Sequence, residues 1–397
     1  MHLPEGNRID GKVCKLKRCI YGLKQSPREW YGRLTSYLIP YGFSIATFDP
    51  CVLLHDSGSF FLAMYVDDIT LFGSNDNPLM DDVKKILKRE FKVTDLGNLH
   101  WILGIKIDFT PSGITLSQRA YIEKILSRFG MENCHAVSTP IDPKHRLQAS
   151  KPEDRLESDE ISTYQQMIGS LMYAVTGTRP DLAYTVSHLS QFSSSPNHVH
   201  QSAVKRVLRF LRGSTDYSLI YKYNQPLAIE AFSDASLGNC LDTRRSFWGY
   251  ITQLGTATIT WRSRRQRSVA TSSVEAEYMA LSMTAKHMIW LQQGLKEILR
   301  VDIPSVIYTD NTGAQEIAEN HKINDRTAHI DRHYHFVRER IEAGDITVLH
   351  IDGKKNPADI CTKGLPRAHL DVLNPLIFGQ PIQPTTQLID NEAEKGC

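Results

Sequence analysis

The run Phe60-Phe61-Leu62-Ala63-Met64-Tyr65-Val66-Asp67-Asp68-Ile69-Thr70-Leu71-Phe72-Gly73 decides the fold of the first part of the chain. Two short apolar segments rich in β-forming residues flank Asp67 and Asp68, which predicts a strand, a tight turn and a second strand. Adjacent carboxylates repel each other unless a cation lies between them. Mg²⁺ binds one or two carboxylates together with substrate phosphates, so the hairpin is interpreted as a metal-holding element for phosphoryl transfer. The alternative is a surface turn that contains two aspartates.

The composition limits the class of protein. A chain of 397 residues predicts two or three domains, and its 41% hydrophobic and 23% charged residues are ordinary for a globular protein. The net charge of +2 provides no global basic field, so nucleic acid would have to bind local basic patches. Such patches occur at 84–89, 205–212 and 262–267. Only the last is dense enough to favour phosphate contact over a solvated surface.

Cysteine usage and hydropathy indicate the compartment. Seven cysteines are scattered without a Cys-X-X-Cys pair, which indicates a reducing environment and argues against a zinc knuckle or a disulfide scaffold. No apolar run approaches the roughly 20 residues that span a membrane, and the N-terminus has no signal-peptide core. We therefore expect an intracellular protein, cytoplasmic or nuclear, that is not secreted and has no membrane partner.

The first half of the chain mixes predicted helices with short strands. Apolar periodicity predicts helices at 26–40, 78–90 and 118–130, with a strand at 101–107. Residues 141–161 are rich in Pro, Ser and charged side chains, which predicts a linker. Residues 162–213 are predicted to be mostly helical.

The second half has the pattern of an α/β domain. Several strands are followed by a helix, and strands and helices then alternate, which is the order of an α/β domain. The residues from 376 onward are predicted to fray. The predicted strands are 227–233, 246–253, 256–262, 267–271, 305–309 and 346–351. The predicted helices are 273–298, 312–319 and 328–343, with a final helical turn at 356–362.

Four acids fall at the ends of these elements. Asp234 and Asp310 end strands, Glu277 opens the long helix, and Asp359 follows the last strand. Carboxylates grouped at strand ends and helix starts can hold two Mg²⁺ ions about 4 Å apart, one activating a water and the other stabilising the leaving 3′ oxygen. Any one of them alone would be interpreted as a surface carboxylate, and Glu275 is the alternative to Glu277. The set predicts metal-assisted phosphodiester hydrolysis.

Several motifs give the chain a resemblance to one family. Tyr65-Val66-Asp67-Asp68 resembles the polymerase signature of reverse transcriptases, and the stretch from Leu16 to Tyr31 is similar to a motif of copia-type retrotransposon enzymes. Further motifs follow in the same order, so the resemblance covers nearly the whole chain. It implies a fragment of a Pol polyprotein, with the C-terminal part of a reverse transcriptase and a ribonuclease H. The context Glu277-Tyr278-Met279-Ala280 matches the catalytic glutamate of the family.

The resemblance implies a domain plan and a set of partners. The fold class is α/β: an α+β polymerase palm and thumb remnant followed by a ribonuclease H-like α/β domain. Gly22 and Gln25 are implied to contact nucleotide and template, whereas the alternative is an ordinary helix-entry loop. The expected ligands are Mg²⁺, or Mn²⁺ in its place, an RNA template, an RNA–DNA hybrid and dNTPs, and the family also implies association with intact Pol or Gag proteins, in virus-like particles when cytoplasmic. The expected divisions are a partial reverse transcriptase at 1–140, a linker at 141–161, a helical connection at 162–225, a ribonuclease H-like domain at 226–370 and a flexible tail at 371–397.

The chain also departs from the family. A third polymerase aspartate is carried upstream of Tyr21 to Gln25 in the family, and no such motif precedes residue 16. The sequence therefore predicts that the fingers and the first catalytic motif are missing, and that the polymerase is inactive by itself. Cys361 and Gly364 stand where Phe and Pro are usual, and Phe247-Trp248 where small polar residues are usual; these differences are interpreted as packing changes.

The histidines and two competing functions complete the predictions. His350 is either a mobile histidine that assists product release or a surface residue, and the spacing of His329 and His333 only weakly suggests zinc. The runner-up function is a non-catalytic relic or domesticated protein that binds nucleic acid through basic patches. Such a binder has no need of the four acids, because carboxylates oppose phosphate binding without metal. A metabolic α/β enzyme is disfavoured because no Gly-rich nucleotide loop is present.

Overall fold

The computed structural model describes residues 6, 9, 11–17, 19–20, 22–74, 77–144, 146–319 and 334–379. The chain divides into two compact units, of which the first comprises residues 1–97 and 293–302 and the second comprises residues 98–292 and 303–397. Among the described residues, no helix combines the length and the apolar character needed to cross a bilayer.

The first unit contains a four-stranded antiparallel sheet in the order β1-β2-β3-β4. Its elements are α1 (Ser26–Leu38), β1 (Phe43–Ile45), β2 (Val52–His55), β3 (Phe60–Tyr65), β4 (Asp68–Gly73) and α2 (Leu79–Glu90). Alternate residues of β3 are buried, as expected for a strand with one face on the core. Leu34 and Leu38 of α1, Leu62 of β3 and Leu87 of α2 belong to one apolar cluster. The predicted hairpin at 60–72 and both predicted helices are confirmed, apart from end residues.

The second unit begins with another antiparallel sheet and a bundle of helices. Its first elements are β5 (Trp101–Ile102), β6 (Ile105–Thr110), β7 (Gly113–Ser117), α3 (Arg119–Arg128), α4 (Ser158–Gly177), α5 (Ala183–Ser190), α6 (His198–Arg212) and β8 (Leu219–Lys222). The sheet order is β5-β6-β7-β8, so β8 joins a meander that lies about a hundred residues earlier in the sequence. The predicted strand at 101–107 is interrupted at Leu103-Gly104, where both residues have positive φ.

A five-stranded sheet dominates the remainder of this unit. The elements from here to the end of the described chain are β9 (Ile229–Ser236), β10 (Phe247–Leu254), β11 (Ala257–Arg265), α7 (Ser273–Leu299), β12 (Ser305–Thr309), α8 (Thr312–Glu319), α9 (Phe336–Glu342), β13 (Thr347–His350) and α10 (Arg367–Phe378). The residues of α7 from 293 onward belong to the first unit. The strand order is β11-β10-β9-β12-β13. The first three strands are antiparallel, whereas β12 runs parallel to both β9 and β13. Residues 357–361 form a short 3₁₀ turn after β13. The α/β interpretation is confirmed: this is a mixed helix and sheet fold.

Three sequence-based predictions differ from the structure. Residues 267–271 form no strand, because here the chain turns from β11 into α7. The predicted linker contains Ile141, Leu147 and Leu156, which are all buried. Ile141 and Leu147 belong to the apolar core of the second unit, so this polar stretch is anchored by its few apolar side chains. The predicted flexible tail begins too early, because α10 extends to Phe378 and its apolar face is buried in the same core. The predicted helix at 328–343 lies partly outside the described residues, and its described part contains α9 (Phe336–Glu342). The tail from 380 onward lies outside the described residues.

Gly249 in β10 allows the 3₁₀ turn to pack against the sheet. A Cβ at Gly249 would overlap the Cys361 side chain and lie 2.6 Å from the Arg262 carbonyl oxygen. We expect Gly249→Ala to lower the free energy of unfolding by about 1–3 kcal/mol through overpacking. Denaturant titration measures the change. Gly169→Ala is the matched control, because Gly169 lies in α4 with no atom near the added Cβ, and alanine there should stabilise by about 0.5–1 kcal/mol. Equal stabilities of the two variants would contradict this packing.

Candidate active site

The sheet topology of the second unit brings acidic residues together. Thr309 of β12 pairs with Ser233 of β9, and the two strands are parallel. Asp310 and Asp234 each follow by one residue, so they lie side by side on neighbouring strands. Neighbouring strands are about 4.8 Å apart. Asp359 approaches from the 3₁₀ turn, which Asn356 attaches to β9 by donating from Nδ2 to the Ser233 carbonyl oxygen at 3.0 Å.

Three carboxylates form a compact cluster. Asp234, Asp310 and Asp359 each have a carboxylate oxygen within 4.8 Å of the others, a grouping able to hold a metal ion. Asp234 and Asp359 are buried, and Asp310 is partly exposed. The predicted residues are therefore brought together although Asp234 and Asp359 are 125 positions apart in the sequence.

Glu277 joins the cluster from the first turns of α7. Its side chain is buried and interacts with Asp234, while its Oε2 atom has no hydrogen-bond partner in the described part of the chain. Glu275 faces the start of the helix, where its Oε2 accepts hydrogen bonds from the Thr271 backbone N–H at 2.6 Å and hydroxyl at 2.7 Å. This arrangement favours Glu277 over Glu275 as the acid that faces the cluster.

Sequence reasoning assigned no role to Thr362 and Lys363, which contact these acids. The Thr362 hydroxyl donates a hydrogen bond to Asp234 Oδ2. The Lys363 Nζ atom lies 2.7 Å from Asp359 Oδ1 and 3.8 Å from Asp234 Oδ2, so its ammonium group offsets part of the negative charge. The available signal was the spacing from Asp359, since residues i and i+4 face each other on a helical turn.

The electrostatics reflect crowded, desolvated carboxylates. Burial, followed by repulsion from Asp234 and Asp310, raises the pKa of Glu277 well above its usual value. Burial and then Asp234 raise the pKa of Asp310, and they raise that of Asp359 to about 7 despite the opposing Lys363. Burial alone would lower the pKa of Lys363, but Asp234 and Asp359 raise it.

These shifts predict that the metal-free protein loses stability as the pH rises from 4 to 7. The folded state binds more protons than the unfolded state in this range, so the free energy of unfolding falls with increasing pH. For Asp359 the loss is at most about 4 kcal/mol, since each pKa unit corresponds to about 1.4 kcal/mol. Thermal unfolding in a chelator at pH 5.5 and pH 8 measures this loss of stability. Equal stability at the two pH values would contradict the prediction. Asp216→Asn, an exposed acid outside the cluster, should leave the slope unchanged.

The first unit presents its two aspartates differently. Asp67 and Asp68 are exposed at the turn between β3 and β4, and no group of three metal-ligating side chains in the described ranges includes either of them. Val66 in this turn has φ of 57°, a strained conformation for a β-branched residue. Trp30 of α1 donates from Nε1 to the Val66 carbonyl oxygen at 2.6 Å, which ties the helix to the turn.

The other predicted site residues lie apart from these clusters. Gly22 and Gln25 are exposed before α1. His350 is exposed at the end of β13. His329 and His333 lie outside the described residues.

Comparison with known proteins gives the class and then the family. A family model described as reverse transcriptase (RNA-dependent DNA polymerase) matches residues 1–143. The retrovirus-related Pol polyprotein from transposon TNT 1-94 of Nicotiana tabacum is 37% identical over 388 residues, covering 95% of this chain and 29% of that protein. An uncharacterised mitochondrial protein of Arabidopsis thaliana is 39% identical over 230 residues, covering 58% of this chain and 93% of that protein.

The chain belongs to the family of retrovirus-related Pol polyproteins of copia-type transposons. It spans about a quarter of the length of the curated Pol relatives that it matches. Among solved structures, LC11-RNase H1 from compost has 16% identity and a TM-score of 0.27, covering 34% of this chain and 93% of that one.

Proposed function

We propose that the second unit cleaves the RNA strand of RNA–DNA hybrids in a reaction that depends on Mg²⁺, with Mn²⁺ as a substitute. The observation that carries this proposal is the convergence of Asp234, Glu277, Asp310 and Asp359 at one end of the five-stranded sheet. The membership in the Pol family supports an RNA–DNA hybrid as the substrate.

The acids fit a hard divalent cation. Mg²⁺ prefers oxygen ligands, and the three clustered aspartates, together with the unpartnered Oε2 atom of Glu277, provide them. When bound, the cation activates water and stabilises the negative charge on the leaving oxygen. Thr362 orients the Asp234 carboxylate, and Lys363 places a positive charge where a phosphate would approach. The chain therefore positions the ligands and draws the phosphodiester towards them.

The test uses a hybrid whose RNA strand is labelled. We expect internal cleavage of the RNA with Mg²⁺, none with a chelator, and none of the same RNA when it is single-stranded. Cleavage should also be lost in Asp359→Asn and kept in Asp216→Asn, which is the matched control on an exposed acid. Retained binding of the hybrid without any cleavage would overturn the nuclease proposal and favour a non-catalytic nucleic-acid-binding protein.

For the first unit we infer that Asp67 and Asp68 are the remains of a polymerase site that does not act in this chain alone. Two exposed carboxylates without a third ligand among the described residues should bind Mg²⁺ weakly, because its sites usually need substrate phosphates as well. We expect no extension of a DNA primer on an RNA template with dNTPs. Extension that is lost in Asp67→Asn would overturn this inference. Contacts of Gly22 and Gln25 with nucleotide and template, and assembly with Pol or Gag proteins, belong to the same proposal.

A further inference from the structure

A basic cavity of about 300 Å³ opens in the second unit, away from the clustered acids. It lies between the end of α5 and the edge of the sheet where β10 begins and β11 ends. Its lining includes four arginines and two hydroxyl groups: Arg245, Arg264, Arg265, Arg267, Ser187 and Ser190. Part of the densest basic stretch of the sequence therefore forms one wall of a concave site.

The positive charge in this cavity is not balanced by the protein. Among the described residues, none of the four arginines has a carboxylate oxygen within 4 Å. The Arg265 guanidinium is held in place because Nη1 donates to Gln191 Oε1 at 2.6 Å. The guanidinium groups of Arg245, Arg264 and Arg267 donate no hydrogen bond to the part of the chain that the structure describes, so these groups face the cavity or solvent. Like charges at this density favour a bound anion.

The strand register fixes the place of the cavity relative to the clustered acids. Asp234 pairs with Gly249, and two residues earlier on β10, Phe247 pairs with Arg265. Directly paired residues and residues two apart share one side of a sheet, so Asp234 and Arg265 lie on the same side. At about 4.8 Å per strand and 3.3 Å per residue, their backbones are roughly 12 Å apart. One strand of a duplex carries a phosphate about every 3.4 Å along the axis, so that distance corresponds to a few nucleotides.

We propose that this arginine cavity binds the sugar–phosphate backbone of the RNA–DNA hybrid a few nucleotides from the bond that is cleaved. This inference rests on the proposed function, since the hybrid is its ligand. Guanidinium groups suit the task because their planar donors match phosphate oxygens in pairs. Ser187 and Ser190 add hydroxyl donors beside the arginines. The ligand is a phosphodiester backbone, which either the RNA or the DNA strand could supply.

The test compares two charge-matched pairs of substitutions in the full chain. Arg245→Gln with Arg267→Gln removes two charges from the cavity, whereas Lys205→Gln with Lys222→Gln removes two exposed charges elsewhere in the same unit. Binding of a labelled hybrid is measured by fluorescence anisotropy in a chelator between 50 and 200 mM KCl, so that no cleavage intervenes. We expect the arginine pair to weaken binding roughly tenfold at 100 mM KCl and to lower the slope of log affinity against log salt by about 2. The lysine pair should change affinity less than about twofold.

Neutral methylphosphonate linkages then identify the strand. Placed a few nucleotides from the cleaved bond in the DNA strand or in the RNA strand, they should weaken binding to the wild type in one of the two arms and leave the arginine pair unaffected. Equal losses in the arginine and lysine pairs, or an unchanged salt slope, would overturn the proposal, as would failure of the wild type to bind. Arginine-dependent binding without any cleavage in Mg²⁺ would support the cavity and refute the nuclease function, so the two failures are distinguishable.

Discussion

Asp310→Asn should abolish Mg²⁺-dependent cleavage and at the same time stabilise the metal-free protein. Loss of activity is expected to exceed roughly 100-fold, because partners that only support metal ligands already contribute 10- to 100-fold. The stability gain has a separate cause: the amide removes one charge from a cluster in which burial and Asp234 raise the pKa of Asp310. At pH 8 in a chelator we therefore expect the variant to unfold at a higher temperature than the wild type.

The same variant tests metal binding without relying on catalysis. Mg²⁺ that binds only the folded state raises its stability, so the wild type should unfold at a higher temperature as Mg²⁺ is added. Asp310→Asn should lose most of this response, whereas the exposed Asp216→Asn should keep it. If Asp310→Asn destabilised the metal-free protein, the repulsion inferred among the four acids would be wrong.

Arg179 and Asp181 form the second site where a large effect is expected. Both side chains are fully buried, and Arg179 donates from Nε and Nη2 to the two Asp181 oxygens at 2.9 and 2.6 Å. It also donates to the Ser214 carbonyl oxygen and hydroxyl at 3.0 and 2.7 Å, and its guanidinium lies over the Tyr217 ring at 5.1 Å. One cation therefore joins the start of the turn at 180–182 to the segment after α6.

Asp181→Asn or Arg179→Met should each lower the free energy of unfolding by about 3–5 kcal/mol, because removal of one partner leaves an uncompensated buried charge. Replacing both residues by Met and Leu should cost less than the sum of the single changes, since no charge remains buried. Urea titration of the four proteins measures the coupling. Arg119→Gln is the control, because its ion pair with Asp216 is exposed and should contribute at most about 1 kcal/mol. Additive losses in the double variant would show that the pair does not act as a unit.

The sequence predicted those parts of the structure that local patterns determine. The hairpin at 60–72 follows from two apolar segments around a turn, and the long helix at 273–298 follows from its periodicity. The four acids were identified because each stands at the end of an element in a motif of its own. The short strands β1, β2, β7 and β8 were not predicted; the partner of β8 is β7, about a hundred residues earlier, whereas the other three pair with neighbouring strands in the sequence.

The site itself was only partly predictable, because charge balance depends on the folded geometry. The spacing of Lys363 from Asp359 allows a contact between these two residues, but the position of the ammonium group near both Asp359 and Asp234 depends on the folded 3₁₀ turn. The arginine cavity could not be inferred from the basic stretch alone, since Arg245 comes from the segment before β10 and residues of α5 also line the cavity. The prediction of a strand at 267–271 was wrong, because β propensity contains no information about the turn that the chain makes there before α7.

The late position of Asp359 separates folding of the sheet from assembly of the acids. All five strands of that sheet precede residue 351, but the last of the four acids lies in the turn at 357–361. A stop codon or frameshift between these points would leave every strand encoded and remove one acid together with its lysine. For the proposed nuclease, an intact sheet-coding region in a decayed genomic copy is therefore no guide to activity, whereas the codons up to Lys363 are.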